Sequence, residues 1–137
     1  MGGIFLEKRD YTNAIKYCNE ALEDDKYTDA KAIGYIYQNL GFIAKELRDY
    51  QKSLNYFRES NFYLIKRMEY RAVAGNYNMF YLNFTALNQF DSANYYNKLY
   101  YKYAKMTSTP SNIFAAQLNS SILNLMYFKN FNRLLVA

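Results

Sequence analysis

The sequence has 137 residues, a length that suits one folded domain. Hydrophobic residues make up 51% and charged residues 21% of it, which is typical of a globular protein rather than an intrinsically disordered chain. A single cysteine excludes an internal disulfide, and the absence of histidine excludes zinc sites and catalytic triads built on that residue.

The net charge of +5 is divided unevenly along the chain. Acidic residues dominate up to residue 29 and basic residues dominate after it, but only Lys66, Arg67 and Arg71 form a tight basic group. A nucleic-acid-binding protein usually gathers its basic residues on one face. Nucleic-acid binding is therefore not expected, and it stays an alternative for the basic part alone.

The local sequence predicts helices throughout. Only one proline and five glycines interrupt the chain, while good helix formers recur between them. The predicted helices are, in chain order, Tyr11 to Asp24, Asp29 to Glu46, Tyr50 to Lys66, Glu69 to Leu87, Phe90 to Met106, and Pro110 to Phe128. No apolar run reaches the roughly 20 residues of a membrane span. The compartment is undetermined, with the cytoplasm slightly favoured.

A polar turn followed by an aromatic residue recurs four times. The aromatic residues are spaced by 39, 40 and 41 positions: Tyr11, Tyr50, Phe90 and Phe131. Three positions later stand Ala14, Ser53, Ala93 and Leu134, and six positions earlier stand Phe5, Ala44, Phe84 and Leu125. Small residues at the first set allow two helices to approach closely. The pattern predicts repeated helical hairpins.

These hairpins resemble the tetratricopeptide repeat. The second copy carries that family's pattern best, with Leu40-Gly41, Asp49-Tyr50, Ser53 and Phe57 at the expected positions; the first copy matches at Gly2, Asp10-Tyr11, Ala14 and Ala21. The third has Phe80-Tyr81 where Leu-Gly is expected and Asn97 in place of the core aromatic, so its packing should differ.

The resemblance implies an all-α fold, a right-handed α-solenoid of antiparallel helix pairs. A repeat of about 40 residues rather than the usual 34 implies helices one to two turns longer per pair, similar in style to repeats of bacterial regulators. We expect one domain over 1–137 with repeats at about 1–28, 29–68, 69–108 and 109–137. The terminal repeats are incomplete, which favours a piece of a longer protein over open ends covered by another copy.

No residue pattern predicts catalysis. The sequence lacks the glycine-rich nucleotide loops, and Glu23, Asp24, Asp25 and Asp29 lack the spacing of a calcium loop. Cys18 falls at a core-facing repeat position without a histidine base. We therefore expect a non-enzymatic protein that needs no cofactor and no metal.

The resemblance also implies a binding groove, because the first helix of each tetratricopeptide pair lines a concave surface. The groove residues it implies are Tyr35, Gln38, Phe42, Lys45, Asn78, Leu82, Asn119 and Leu123. Three of them carry amides, Gln38, Asn78 and Asn119, and an amide offers both a donor and an acceptor to the backbone of an extended peptide. The alternative is that these amides are simply solvated.

Two classes of function follow. The first is a scaffold or sensor that binds a protein or peptide, or another domain of its own protein. The second is a structural module that self-associates through its open ends.

Overall fold

The structure, a computed structural model, describes residues 8–24 and 29–128. Its helices are α1 (Lys8–Glu23), α2 (Ala30–Glu46), α3 (Tyr50–Lys66), α4 (Tyr70–Ala86), α5 (Phe90–Met106) and α6 (Pro110–Leu123), and a π-helical turn follows at Asn124–Phe128. The described residues contain no strand. The predicted fold class, an all-α helical repeat, is confirmed. Predicted repeat positions Gly2, Phe5, Phe131 and Leu134 lie outside the described residues.

The helices follow a strict period. From α2 to α6 each begins 20 residues after the one before, and α2 to α5 all have 17 residues. Two helices therefore make a repeat of 40 residues throughout. The sequence spacing of 41 for the last pair does not apply to α4 and α6, which begin at Tyr70 and Pro110.

One type of turn produces this period. Each of the four turns has a left-handed residue after the helix end, at Arg48 (φ 63°), Met68 (φ 53°), Asn88 (φ 58°) and Ser108 (φ 50°). The next backbone N–H donates to the carbonyl five residues back, as from Asp49 to Ala44 at 2.9 Å. This is the Schellman helix end, built here without glycine. The following helix begins at once, and Asp49 caps it by accepting from the Lys52 N–H at 3.3 Å.

The chain forms two compact units, Met1–Glu69 and Tyr70–Ala137. In the first, α2 and α3 approach closely because glycine faces a large side chain. A Cβ on Gly41 would lie 2.8 Å from the Phe57 ring, and the Ser53 hydroxyl donates to the Gly41 carbonyl at 2.7 Å. The same set recurs seven residues along each helix, in Gly34, Leu64 and Ser60.

In the second unit, the large side chain of the Gly41–Phe57 contact stands on the first helix of the pair, as Tyr81. Phe80 and Tyr81 of α4 are buried, and Asn97 of α5 is buried at the position that Phe57 holds in α3. The predicted difference in packing is confirmed. Helix α6 joins this core through Ala116, which is in one apolar cluster with Ala74 and Tyr100.

Candidate functional site

Several tyrosines pack between paired helices. The first unit holds a cluster in which Tyr37 lies 6.3 Å from Tyr56 and 5.9 Å from Tyr63, measured between ring centroids. The second unit repeats it 40 residues later, with Tyr77 at 6.2 Å from Tyr96 and 5.3 Å from Tyr103. Burial, with a smaller effect of Tyr103, raises the pKa of Tyr77 to about 12. These ring contacts give Tyr37, Tyr56 and Tyr77 a packing role.

The expected groove residues of the first unit lie on α2. Tyr35 is half-buried, and its hydroxyl donates to the Glu69 carboxylate at 3.2 Å. Burial and then that carboxylate raise the pKa of Tyr35. Glu69 also pairs with Lys31 at 3.2 Å. Tyr35 is thus held by the unit's own side chains.

The other three residues of this set differ in exposure. Phe42 is 40% exposed and meets Phe57 edge-on at 5.3 Å, whereas Gln38 and Lys45 are half-buried. Phe42 is therefore the large apolar side chain that α2 offers to solvent beside Gln38.

The second unit brings three asparagines together. The Nδ2 of Asn119 donates to the Oδ1 of Asn78 at 3.1 Å and to the Oδ1 of Asn97 at 3.0 Å. The Nδ2 of Asn97 in turn donates to the backbone carbonyl of Ala116 at 2.9 Å. We call these three residues, from α4, α5 and α6, the amide relay.

One backbone carbonyl sets the direction of the whole relay. The Ala116 oxygen can only accept, so it requires the nitrogen of Asn97, and the Asn97 oxygen must then face Asn119. Asn119 therefore presents its nitrogen to both neighbours. Among the described residues, the Asn119 Oδ1 and the Asn78 Nδ2 take part in no hydrogen bond. The half-buried ends of the relay thus keep one acceptor and one donor group.

The register of α6 contradicts the groove prediction for Leu123 and changes the repeat position of Asn119. Helices α2, α4 and α6 begin at residues 30, 70 and 110, so the residue of α6 equivalent to Gln38 and Asn78 is Leu118. Asn119 is the residue after it. Leu123 is only 1% exposed and cannot offer a pocket to a partner. The sequence alignment used a spacing of 41, and one residue turns a helical side chain by about 100°.

Leu82 and its equivalent on α6 have the exposure expected of groove residues. Leu82 is half-buried, and Ile122, which takes the register predicted for Leu123, is 37% exposed. The sequence reasoning missed Ile122 because of the register error. For Asn97, the sequence predicted only a difference in packing. An asparagine at a core aromatic position also indicates a buried hydrogen-bond network, because a buried amide needs hydrogen-bond partners.

No cluster of three or more metal-ligating side chains occurs among the described residues. Cys18 is half-buried, and burial raises the pKa of its thiol, which disfavours the reactive thiolate. Among the described helices, none combines the length and apolar character of a membrane span.

Comparison with known proteins gives no further information about this site. No model of a protein family, no curated protein and no solved structure matches the chain.

Proposed function

We propose that the chain is a non-enzymatic binding module that holds an extended segment of a partner protein or peptide. We also propose that the chain is related to the tetratricopeptide repeats. The single observation that carries it is the amide relay, whose outer members Asn78 and Asn119 keep a donor and an acceptor side by side.

Such a pair matches the chemistry of a peptide backbone. Each backbone unit has one N–H donor and one carbonyl acceptor, so the Asn119 Oδ1 accepts from one and the Asn78 Nδ2 donates to the other. Recognition of this kind tolerates many side-chain sequences. The half-buried Leu82, four residues after Asn78 on α4, gives an apolar contact beside the pair.

Rigidity supports the proposal. The relay is anchored at its inner end to the Ala116 carbonyl, and Asn97 itself is 3% exposed. A fixed donor and acceptor lose little conformational entropy when a peptide binds, which favours affinity. A solvated amide that bonds only to water would have no such anchor.

The test is a selection of random 12-residue peptides displayed on phage against the immobilised 137-residue chain. Peptides that are enriched are synthesised, and their affinity is measured by fluorescence anisotropy. We expect Asn78→Ala to weaken binding by more than about tenfold, since it removes the side-chain Nδ2 that donates to the peptide backbone. Far-UV circular dichroism should show unchanged helicity.

Asn39→Ala is the matched control, because Asn39 is an exposed asparagine on α2. It should leave peptide affinity unchanged. A selection that enriches no peptide, or an Asn78→Ala variant that binds like the parent chain, would contradict the proposal.

A further inference from the structure

A cavity of about 220 Å³ lies between α5 and α6 in the second unit. Its lining has one cation, one aromatic ring, one hydroxyl and three amides: Asn94, Asn97, Lys98 and Tyr101 of α5, and Gln117 and Ser120 of α6. No carboxylate is among these side chains. We call this space the α5–α6 cavity.

The α6 side of the cavity departs from the repeat. Positions 117 and 120 are equivalent to Tyr37 and Leu40 of α2 and to Tyr77 and Phe80 of α4. On α4 these positions pack on the following helix, as the Phe80 ring does at 4.7 Å from Tyr96. On α6 they carry Gln117 and Ser120, both exposed. An apolar helix packed here would leave both polar side chains unpaired, so this side of the cavity suits a polar ligand better than a further helix.

The α5 side of the cavity holds a buried donor. The Asn97 Nδ2 carries two protons, and among the described residues it donates only to the Ala116 carbonyl. Asn97 is 3% exposed and lines the cavity. A buried N–H without an acceptor costs free energy, and a ligand oxygen in the cavity supplies one.

The charge of the second unit favours an anionic ligand. Residues 70–137 contain six basic residues and one acidic residue, so they hold the whole net charge of +5, and residues 1–69 are balanced with eleven of each. Lys98 takes part in no ion pair among the described residues. Residues 129–137 contain two basic residues and no acidic one, so that segment brings no side-chain carboxylate to Lys98. A ligand with a negative charge is complementary to this site.

We propose that the α5–α6 cavity binds a small organic acid that has one carboxylate and an apolar or aromatic body. One lysine lines the cavity, and it balances one negative charge. The volume is below the roughly 300–1,000 Å³ of pockets for drug-sized ligands, so the ligand is small.

Tyr101 provides the contact for the apolar body of the acid. Its ring packs against the apolar cluster that contains Ala116, and the Nζ of Lys105 lies 5.2 Å from the ring centroid. A ring held in this way offers a fixed face for stacking. A phosphate group fits less well, because no lining residue is in the first turn of its helix, where free backbone N–H groups bind phosphate.

The test is a titration of the isotope-labelled 137-residue chain, followed by its amide NMR shifts at constant ionic strength. The probes are sodium benzoate, phenylacetate and isovalerate. We expect saturable shifts at the lining residues with at least one of these acids, and none with neutral benzyl alcohol or with inorganic phosphate.

Lys98→Gln should raise the dissociation constant of the acid by at least about tenfold, because it removes the opposite charge from the cavity. Lys102→Gln is the matched control, since Lys102 is an exposed lysine of the same helix that does not line the cavity. It should leave the affinity unchanged.

A second variant tests the cavity itself. Ser120→Leu introduces the residue that α2 carries at the equivalent position, Leu40, and fills the space between α5 and α6. It should abolish the shifts, while far-UV circular dichroism shows the helicity of the parent chain.

Four results would overturn the proposal: no saturable shift with any of the three acids, parental affinity in Lys98→Gln, parental affinity in Ser120→Leu, or binding of benzyl alcohol or phosphate as tight as that of the acids. Lys98 and Ser120 take no part in the amide relay. These results are therefore separate from the test of peptide binding.

Discussion

The two units pack their paired helices through different side chains at equivalent repeat positions. In the first, Gly34 and Gly41 of α2 make room for Leu64 and Phe57 of α3. In the second, the equivalent residues of the first helix are Ala74 and Tyr81, and those of the second helix are Asn97 and Ala104, all buried. The period of the helices is identical in both units. At one contact, Gly41–Phe57 against Tyr81–Asn97, the larger side chain has changed helix, and at the other, Gly34–Leu64 is replaced by two alanines.

The difference changes which polar groups the two units bury. At the glycine-to-aromatic contact of the first unit, the polar group is the Ser53 hydroxyl, which donates to the Gly41 carbonyl. In the second unit, the smaller Asn97 brings an amide into the core and supports the relay. The unit with the less regular repeat sequence is the one that carries the candidate site. Departures from a repeat pattern thus point to function as well as to packing.

The largest expected effect is at the glycine contact. Gly41→Ala places a methyl group 2.8 Å from the buried Phe57 ring and should lower the free energy of unfolding by about 1–3 kcal/mol. Gly75→Ala is the control, because a Cβ on Gly75 meets nothing within 4 Å. It should instead stabilise α4 by about 0.5–1 kcal/mol. Urea unfolding followed by circular dichroism measures both, and equal effects would refute the close approach in the first unit.

The next effect concerns the relay. Asn97→Ala removes the hydrogen bonds to Ala116 and Asn119 and should cost about 1–3 kcal/mol, because polar groups are left unpaired in the core. Asn39→Ala, on the exposed side of α2, should change the free energy of unfolding by less than about 0.5 kcal/mol. The same urea titrations apply. An Asn97→Ala chain as stable as the parent would mean that the second unit does not depend on its buried amide.

A smaller effect is expected at the turns that both units share. Met68 is left-handed and 71% exposed, so Met68→Gly relieves backbone strain without loss of packing. We expect a gain of about 0.5–1 kcal/mol. Met106→Gly, at the last residue of α5, should reduce stability by a similar amount, because glycine is unfavourable within a helix. Melting temperatures that rise for Met68→Gly and fall for Met106→Gly would support the turn geometry. Shifts of both melting temperatures in the same direction would contradict it.

The smallest effect is a pH dependence. The folded-state pKa of Tyr77 is about 12, above the ordinary value of 10. The stabilisation that Tyr77 gives the folded state is therefore complete below pH 10. It is lost as pH rises from 10 towards 12, because the tyrosine loses its proton in the unfolded state before it does in the folded state. Tyr77→Phe should flatten the fall of stability over this range. Tyr17→Phe, at a 69% exposed position, is the matched control for loss of a tyrosine hydroxyl. A parental slope in the Tyr77→Phe chain would exclude this tyrosine as a source of alkaline sensitivity.

Much of the fold could be predicted from the sequence because the period is carried by local signals. The start of α3 at Tyr50, of α5 at Phe90 and of α6 at Pro110 follows from polar turns and caps. The shared left-handed turn was harder to predict, since arginine, methionine, asparagine and serine have no common preference for it.

The candidate site could be predicted only in part. Asn78 and Asn119 were selected for their amides, but which residue each would contact depends on the rotation of α6 about its axis. Because the predicted repeat positions on α6 were shifted by one residue, Leu118 and Ile122 were not predicted as groove residues, and the buried Leu123 was. Asn97 entered the relay through tertiary packing, which no local pattern encodes.

The most direct test of the central claim is an ester scan of a selected peptide. Each backbone N–H of the peptide is replaced in turn by an ester oxygen, which removes a donor and leaves the side chains unchanged, and affinity for the chain is measured by fluorescence anisotropy. If Asn119 accepts from the peptide backbone, one replacement should weaken binding by about tenfold while most others change it little. Ester replacements that leave affinity unchanged at every position would contradict recognition of the backbone by the amide relay.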